Sequence, residues 1–132
     1  MTDAAAIPES HRDLLTTTEA AGFTTIGPDG RPQTSAIWFL LDGDVIRTSI
    51  HGSRQRYRNA LATPAGSLFV IDPANAYRTI DVRGDLVVED DPDLAFLTRI
   101  LARYGRTLES FGPPDGDRHV LTLVPRRVRV TG

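Results

Sequence analysis

The chain has 132 residues and a formal net charge of −2, enough for one domain around one core and too small for two. It contains no cysteine, and all 15 basic residues are arginine, so disulfides, thiolate metal sites, thiol nucleophiles and lysine Schiff bases are excluded. A slightly acidic balance also argues against a general nucleic-acid binder, which carries a basic face over the whole domain.

The leading residues 1–8 lack the basic and apolar regions of a secretion signal and read as a flexible lead. No run approaches the roughly 20 apolar residues of a spanning helix, so the expectation is a cytoplasmic protein without a membrane partner. Residues 9–21 have helical spacing, with Ser10 as a cap and Gly22 as a stop. The period then changes: Phe23 to Ile26 is strand-like, and the Asp29-Gly30 step in Pro28 to Arg31 favours a hairpin turn. A second strand runs from Pro32 to Leu41. Its first half is small and polar, whereas Ala36 to Leu41 is apolar on both faces and needs cover from a helix, a second sheet or another subunit. Val45 to Ile50 returns as a third strand, which would make a three-strand meander.

Residues 53–62 form a short helix and hold the densest chemistry of the chain, Ser53-Arg54-Gln55-Arg56-Tyr57-Arg58-Asn59. Ser53 reads as the N-cap, which puts Arg54 and Arg56 at the positive end of the helix dipole. Cations are disfavoured there unless an anion joins them, and a phosphate or carboxylate would meet both the free N–H groups and the guanidinium forks. The competing reading is a solvated basic face.

Gly66 to Ile71 is the fourth strand, and Tyr77 to Glu89 is a long fifth strand with a bulge at Gly84. Arg78 and Arg83 either add to a positive groove or pair with Asp81 and Asp85. Asp90 and Asp91 supply negative charge to the start of an amphipathic helix carrying Leu94, Leu97, Leu101 and Tyr104, with Pro92 in its first turn. Residues 105–118 are rich in breakers and read as loop; His119 to Pro125 and Val128 to Val130 supply the last strand, kinked at Pro125. Helix, three strands, short helix, two strands, helix, strand is the order of a mainly β, α+β domain: a six-stranded antiparallel split β-barrel spanning 1–132 with flanking helices.

His11, His51 and His119 have no metal-ligand spacing, so no metal site is expected, and Ser35 lacks the context of a hydrolytic nucleophile. No glycine-rich dinucleotide turn is present. Trp38 reads as core, His51 as a loop residue with local hydrogen bonds, and Tyr77 either plugs the barrel end or stacks near a ring.

Three stretches, Gly30 to Ser35, Ser53 to Asn59 with Pro64 beyond it, and Asp72 to Tyr77 with Val82-Arg83-Gly84, together resemble the pyridoxamine 5′-phosphate oxidase-like split β-barrel superfamily. Within it the order is most similar to the actinobacterial flavin/deazaflavin oxidoreductases that use coenzyme F420. The resemblance implies a homodimer with the cofactor in a groove at the subunit interface. It implies that Arg54 and Arg56, with Asn59 alongside, grip the cofactor's phosphate and acidic tail. Gln33 and Ser35 would lie against the ring system with Thr48 and Ser49 at the next strand end, and Tyr77 and Thr79 would reach the site from the partner. Relatives often carry lysine where this chain has Arg56, which changes the phosphate position. The function implied is hydride transfer from reduced F420 to an electron-poor, planar small molecule, with no catalytic side chain assigned. FMN, with its single phosphate, is the alternative cofactor, and a non-catalytic flavin or deazaflavin carrier is the alternative class.

Overall fold

Alternation of apolar and polar side chains commits most of the chain to strands with one face on a common core. In the computed structural model, which describes residues 5–112 and 116–132, these are β1 (Ala21–Ile26), β2 (Pro32–Ile37), β3 (Leu40–Asp42), β4 (Val45–His51), β5 (Ala65–Asp72), β6 (Asn75–Asp90) and β7 (Arg118–Thr131). The helices are α1 (Leu14–Thr17), α2 (Gln55–Ala62), α3 (Ala95–Arg103) and α4 (Leu108–Phe111), with a 3-10 turn at Glu9–His11. Every strand pairing is antiparallel, and the strands form one sheet in the order β2-β1-β5-β6-β7-β4-β3.

The expected six-stranded split barrel is therefore corrected to a seven-stranded sheet that is not closed. The extra strand arises at Trp38-Phe39, where the anticipated strand Pro32 to Leu41 breaks into β2 and β3 on opposite edges. Side chains satisfy the backbone at the break: Thr48 Oγ1 donates to the Trp38 carbonyl at 2.7 Å, and the Phe39 N–H donates to the Tyr104 hydroxyl at 3.1 Å. Ile37 and Leu40 are three residues apart, a reach of about 11 Å at most, so the sheet is rolled until its edges approach without pairing. The expected meander fails at the same point. β1 and β2 make the hairpin, with Gly30 at φ 80° in its turn, but β4 pairs with β3 and β7.

The N-terminal helix is also shorter than its spacing suggests. Ala21 already begins β1 opposite Ile37, and Gly22 lies between Ala36 and Phe69, so cross-strand pairing overrides helical propensity there. Of the supposed flexible lead, residues 1–4 lie outside the described residues. Ala5 N–H donates to the Pro125 carbonyl at 2.8 Å and Ile7 is buried.

The bulge at Gly84 is where the sequence places it: the β6–β7 register shifts between Arg83 and Gly84, opposite Pro125. A Cβ at Gly84 would lie 1.9 Å from the Val124 carbonyl oxygen, which leaves room for glycine alone. Two apolar clusters result. The larger fills the concave side of the sheet, with Phe39, Leu68, Ile80 and Val82 fully buried. The smaller joins Phe96, Leu97, Ile100 and Leu101 of α3 to Trp38 and Leu40, so α3 is the cover that the two-sided apolar run requires. The Asp91 carboxylate fixes the start of α3 by accepting from the Phe96 and Leu97 N–H groups at 3.1 and 2.9 Å. Asp90 turns instead to His119, 3.0 Å away, and Pro92 lies in the turn before the helix. Within the expected loop 105–118, α4 forms behind a reciprocal Thr107–Ser110 capping box, and residues 113–115 lie outside the described residues.

Candidate functional site

β4 delivers the chain to α2 through His51-Gly52-Ser53, and this junction sets the electrostatics of the site. Ser53 is not the cap: its hydroxyl and N–H both meet His51 Nδ1, at 2.7 and 3.0 Å, the local bonding expected of His51. Arg54 takes the N-cap position with φ −75° and ψ 140°, and it has no side-chain acceptor to offer. No acidic residue stands in the first turn either. The helix N-terminus thus keeps its positive end unmodified by side chains and adds guanidinium charge to it.

Arg58 is spent on its own helix, donating to the Ser53 carbonyl at 3.0 Å and to Gln55 Oε1 at 2.8 Å. Arg56 is different. Its Nε is buried and has no hydrogen-bond partner among the described residues. Burial first, then the charges of Arg54 and Arg118, hold the Arg56 guanidinium below its ordinary pKa. A cation in that position is short of exactly one kind of neighbour, an anion. Arg118, from the far end of the chain, is the member of this trio that sequence order does not reveal. It is placed by the β4–β7 pairing of His51 with Arg118, and its Nη2 donates to Ser49 Oγ at 2.7 Å.

Asn59 is buried and ties α2 to the hairpin. Its Nδ2 donates to Thr25 Oγ1 at 3.0 Å and Gln33 Oε1 at 2.8 Å, while its Oδ1 accepts from Gln55 at 2.8 Å. It positions Gln33 and lines the cavity on the hairpin-turn side of α2, not the groove that holds Arg54 and Arg56. Gln33, Ser35, Arg54 and Arg56 line one groove of about 280 Å³ between β2 and the start of α2. Thr48, Ser49 and Arg56 line an adjoining recess of about 180 Å³. Arg56 is common to both, so six of the nine anticipated site residues meet along one continuous surface. A wider cavity of about 460 Å³ flanks α2 on the hairpin-turn side and shares Gln55 with the groove.

Tyr77 and Thr79 are not in this groove. Both lie near the start of β6, and Tyr77 is 84% exposed. Arg78 does not join the groove or pair with Asp81; it binds Asp13 and Asp72, while Arg83 pairs with Asp81. Arg78 holds the Asp13 carboxyl below the usual range, and the Ala74 N–H first, then Arg78, does so for Asp72. Trp38 is half-buried, stacked on Tyr104 at 4.2 Å between centroids, and also forms a wall of the 180 Å³ recess, a role the reading as core had not anticipated. No group of three or more His, Asp or Glu residues among those described could hold a metal ion. No helix among them is long and apolar enough to cross a membrane.

The rolled antiparallel sheet carries an arginine-lined groove that runs into a partly apolar recess, a chemistry suited to an anionic molecule with an apolar body. A family model for pyridoxamine 5′-phosphate oxidase matches residues 7–132, and the chain belongs to that family. It is similar to a solved F420 reductase, with 37% identity and a TM-score of 0.84 over 93% of this chain and 98% of that one. A conserved hypothetical protein from Mycobacterium tuberculosis shares the fold at 22% identity and a TM-score of 0.79, over 99% of this chain and 88% of that one. So does the heme storage protein HutZ from Vibrio cholerae, at 18% identity and a TM-score of 0.70, over 97% and 96%. No curated protein sequence matches the chain.

Proposed function

We propose that the protein is a cytoplasmic F420-dependent reductase, acting on an electron-poor, planar small molecule. The observation that carries this reading is Arg56, a half-buried side chain whose Nε is buried and unpartnered among the described residues, beside Arg54 at an uncapped helix start. The residues fit a deazaflavin with a phosphate and an acidic tail. Arg54 and Arg56 would bind its anionic groups, and the wider cavity along α2 offers room for a tail. Asn59 holds Gln33, and Thr48 holds the Trp38 carbonyl, so the walls of the groove are fixed before any ligand arrives. When bound, the cofactor supplies the hydride; the chain contributes binding, orientation and exclusion of water.

A homodimer belongs to the same proposal. Phe69 and Ile71 of β5 are 42% and 49% exposed, and Phe69 aligns across the sheet with Gly22 and Ala36, which leaves a shallow apolar strip on the outer face. A second copy seated there would cover it. Tyr77 and Thr79, which do not line the Arg56 groove or its recess in their own protomer, would then reach the partner's site.

Titration of the cofactor-free protein with F420, FMN and hemin in parallel tests the assignment. The expected order places F420 tightest, with affinity falling as salt rises. A yellow protein that retains FMN, or tightest binding of hemin, would replace it. Turnover with reduced F420 against quinones and nitro compounds separates an enzyme from a carrier.

A further inference from the structure

The 180 Å³ recess has two unlike ends. Its apolar wall is made by Trp38 of the β2–β3 break, Leu97 and Leu101 of α3, and Phe111 of α4, while Arg56 and Arg118 stand on its polar side. Phe111 is the unusual member, a large aromatic ring 45% exposed at the end of a helix only four residues long. The capping box of α4 holds that helix in place, and the Arg118 guanidinium lies 5.5 Å from the Phe111 ring. Exposure of this ring has no counterpart in core packing, since the α3 cluster is completed by Leu108 and Tyr104 without it.

We propose that this recess is the acceptor subsite of the groove, that its ligand is a one- or two-ring planar aromatic carrying a carboxylate, and that Phe111 determines that specificity. The inference rests on the reductase reading for the word acceptor, but the recess and its ligand chemistry stand on the geometry alone. Size decides against large acceptors: about 180 Å³ falls well short of the roughly 300–1,000 Å³ that drug-sized ligands occupy, and a tetrapyrrole is larger still. Charge decides the substituent. The recess carries two guanidinium groups, one with a buried unpartnered Nε, and no carboxylate lines it among the described residues. An aromatic carboxylate would place its ring between Phe111 and Trp38 and its anionic end on Arg118 and on Arg56, which lines both the recess and the cofactor groove and would be shared between the two anions.

Trp38 is the single tryptophan of the chain and lines the recess, so its fluorescence reports occupancy with no cofactor present. The test is titration of the full chain with 4-nitrobenzoate and with its neutral analogue 4-nitrobenzamide, both quenchers of indole emission. Saturable quenching by 4-nitrobenzoate, at least about fivefold tighter than by the amide, is expected. Phe111→Ala should weaken it at least about fivefold, with Phe111→Leu intermediate. Arg56→Gln should remove the preference for the carboxylate; Arg118, which also ties β7 to Ser49, is left in place. Equal affinity for the two probes, unsaturable quenching, or binding indifferent to Phe111→Ala overturns the inference. Its failure is distinguishable from failure of the reductase reading: F420 binding without 4-nitrobenzoate binding sinks only the subsite, and the reverse sinks only the cofactor.

Discussion

At the scale of single residues, Arg56 is the informative one. Its pKa is depressed by burial and by two like charges, so the folded state disfavours its charged form relative to the unfolded chain. For a cation with a lowered folded pKa the penalty is present at every pH below that value, which covers the whole working range, and is relieved only in strong alkali. Arg56→Met should therefore leave the melting temperature of the ligand-free protein unchanged or raise it, while weakening cofactor binding. Thermal melts and a cofactor titration on the same variant check both halves, and a clear loss of stability would show that Arg56 has a structural partner. That Arg54 and Arg56 stand together at the start of α2 was legible in the sequence, because their chemistry conflicts with that place in a helix. Arg118 was not legible, because strand pairing and not sequence order brings it to Ser49. Nor was the inward turn of Asn59, which depends on a hairpin side chain, Gln33, being within reach.

At the scale of elements, turns and bulges were read correctly where a single residue type is demanded, as at Gly30 and Gly84. The β2–β3 break was invisible, since a continuous apolar run from Ala36 to Leu41 looks the same whether it feeds one strand or two. What decides it is distant: Thr48 and Tyr104 satisfy the backbone, while α3 takes Trp38 and Leu40. Helix α3 is further fastened to β3 by Arg99, which donates to both Asp42 oxygens at 3.0 Å, with Arg47 donating to Asp42 at 2.7 Å. Arg99 is the chief reason that Asp42 sits below the ordinary carboxylate value of 3.8. A carboxylate with a depressed folded pKa stabilises the fold above its unfolded pKa, and that contribution is lost as pH falls through the folded pKa. Melting temperatures measured from pH 6 downward should therefore drop less steeply below about pH 4 in Asp42→Asn than in the parent protein. Parallel acid limbs would mean that the α3–β3 tether contributes nothing to folding.

At the scale of the whole molecule, the rolled sheet explains why the order of weak motifs was more telling than any one of them. β2, β4 and β7 bring Gln33, Ser49 and Arg118 around the start of α2, and only that topology makes a groove of them. The strand count was misread because the extra strand, β3, is three residues long. Assembly is the property that one copy leaves open on its outer face, and the Phe69 and Ile71 strip gives it a test. Phe69→Asp with Ile71→Asp should convert a dimer to monomers in light scattering after gel filtration, because charges on that strip would be desolvated on association. A dimer that survives both changes would move the interface elsewhere. The most direct test of the central claim is the equilibrium constant for F420 with Arg54→Ala/Arg56→Ala beside the unaltered chain. At least about a hundredfold weaker binding, roughly 2.7 kcal/mol, is expected at an unchanged melting temperature; equal affinity in the two proteins would contradict it.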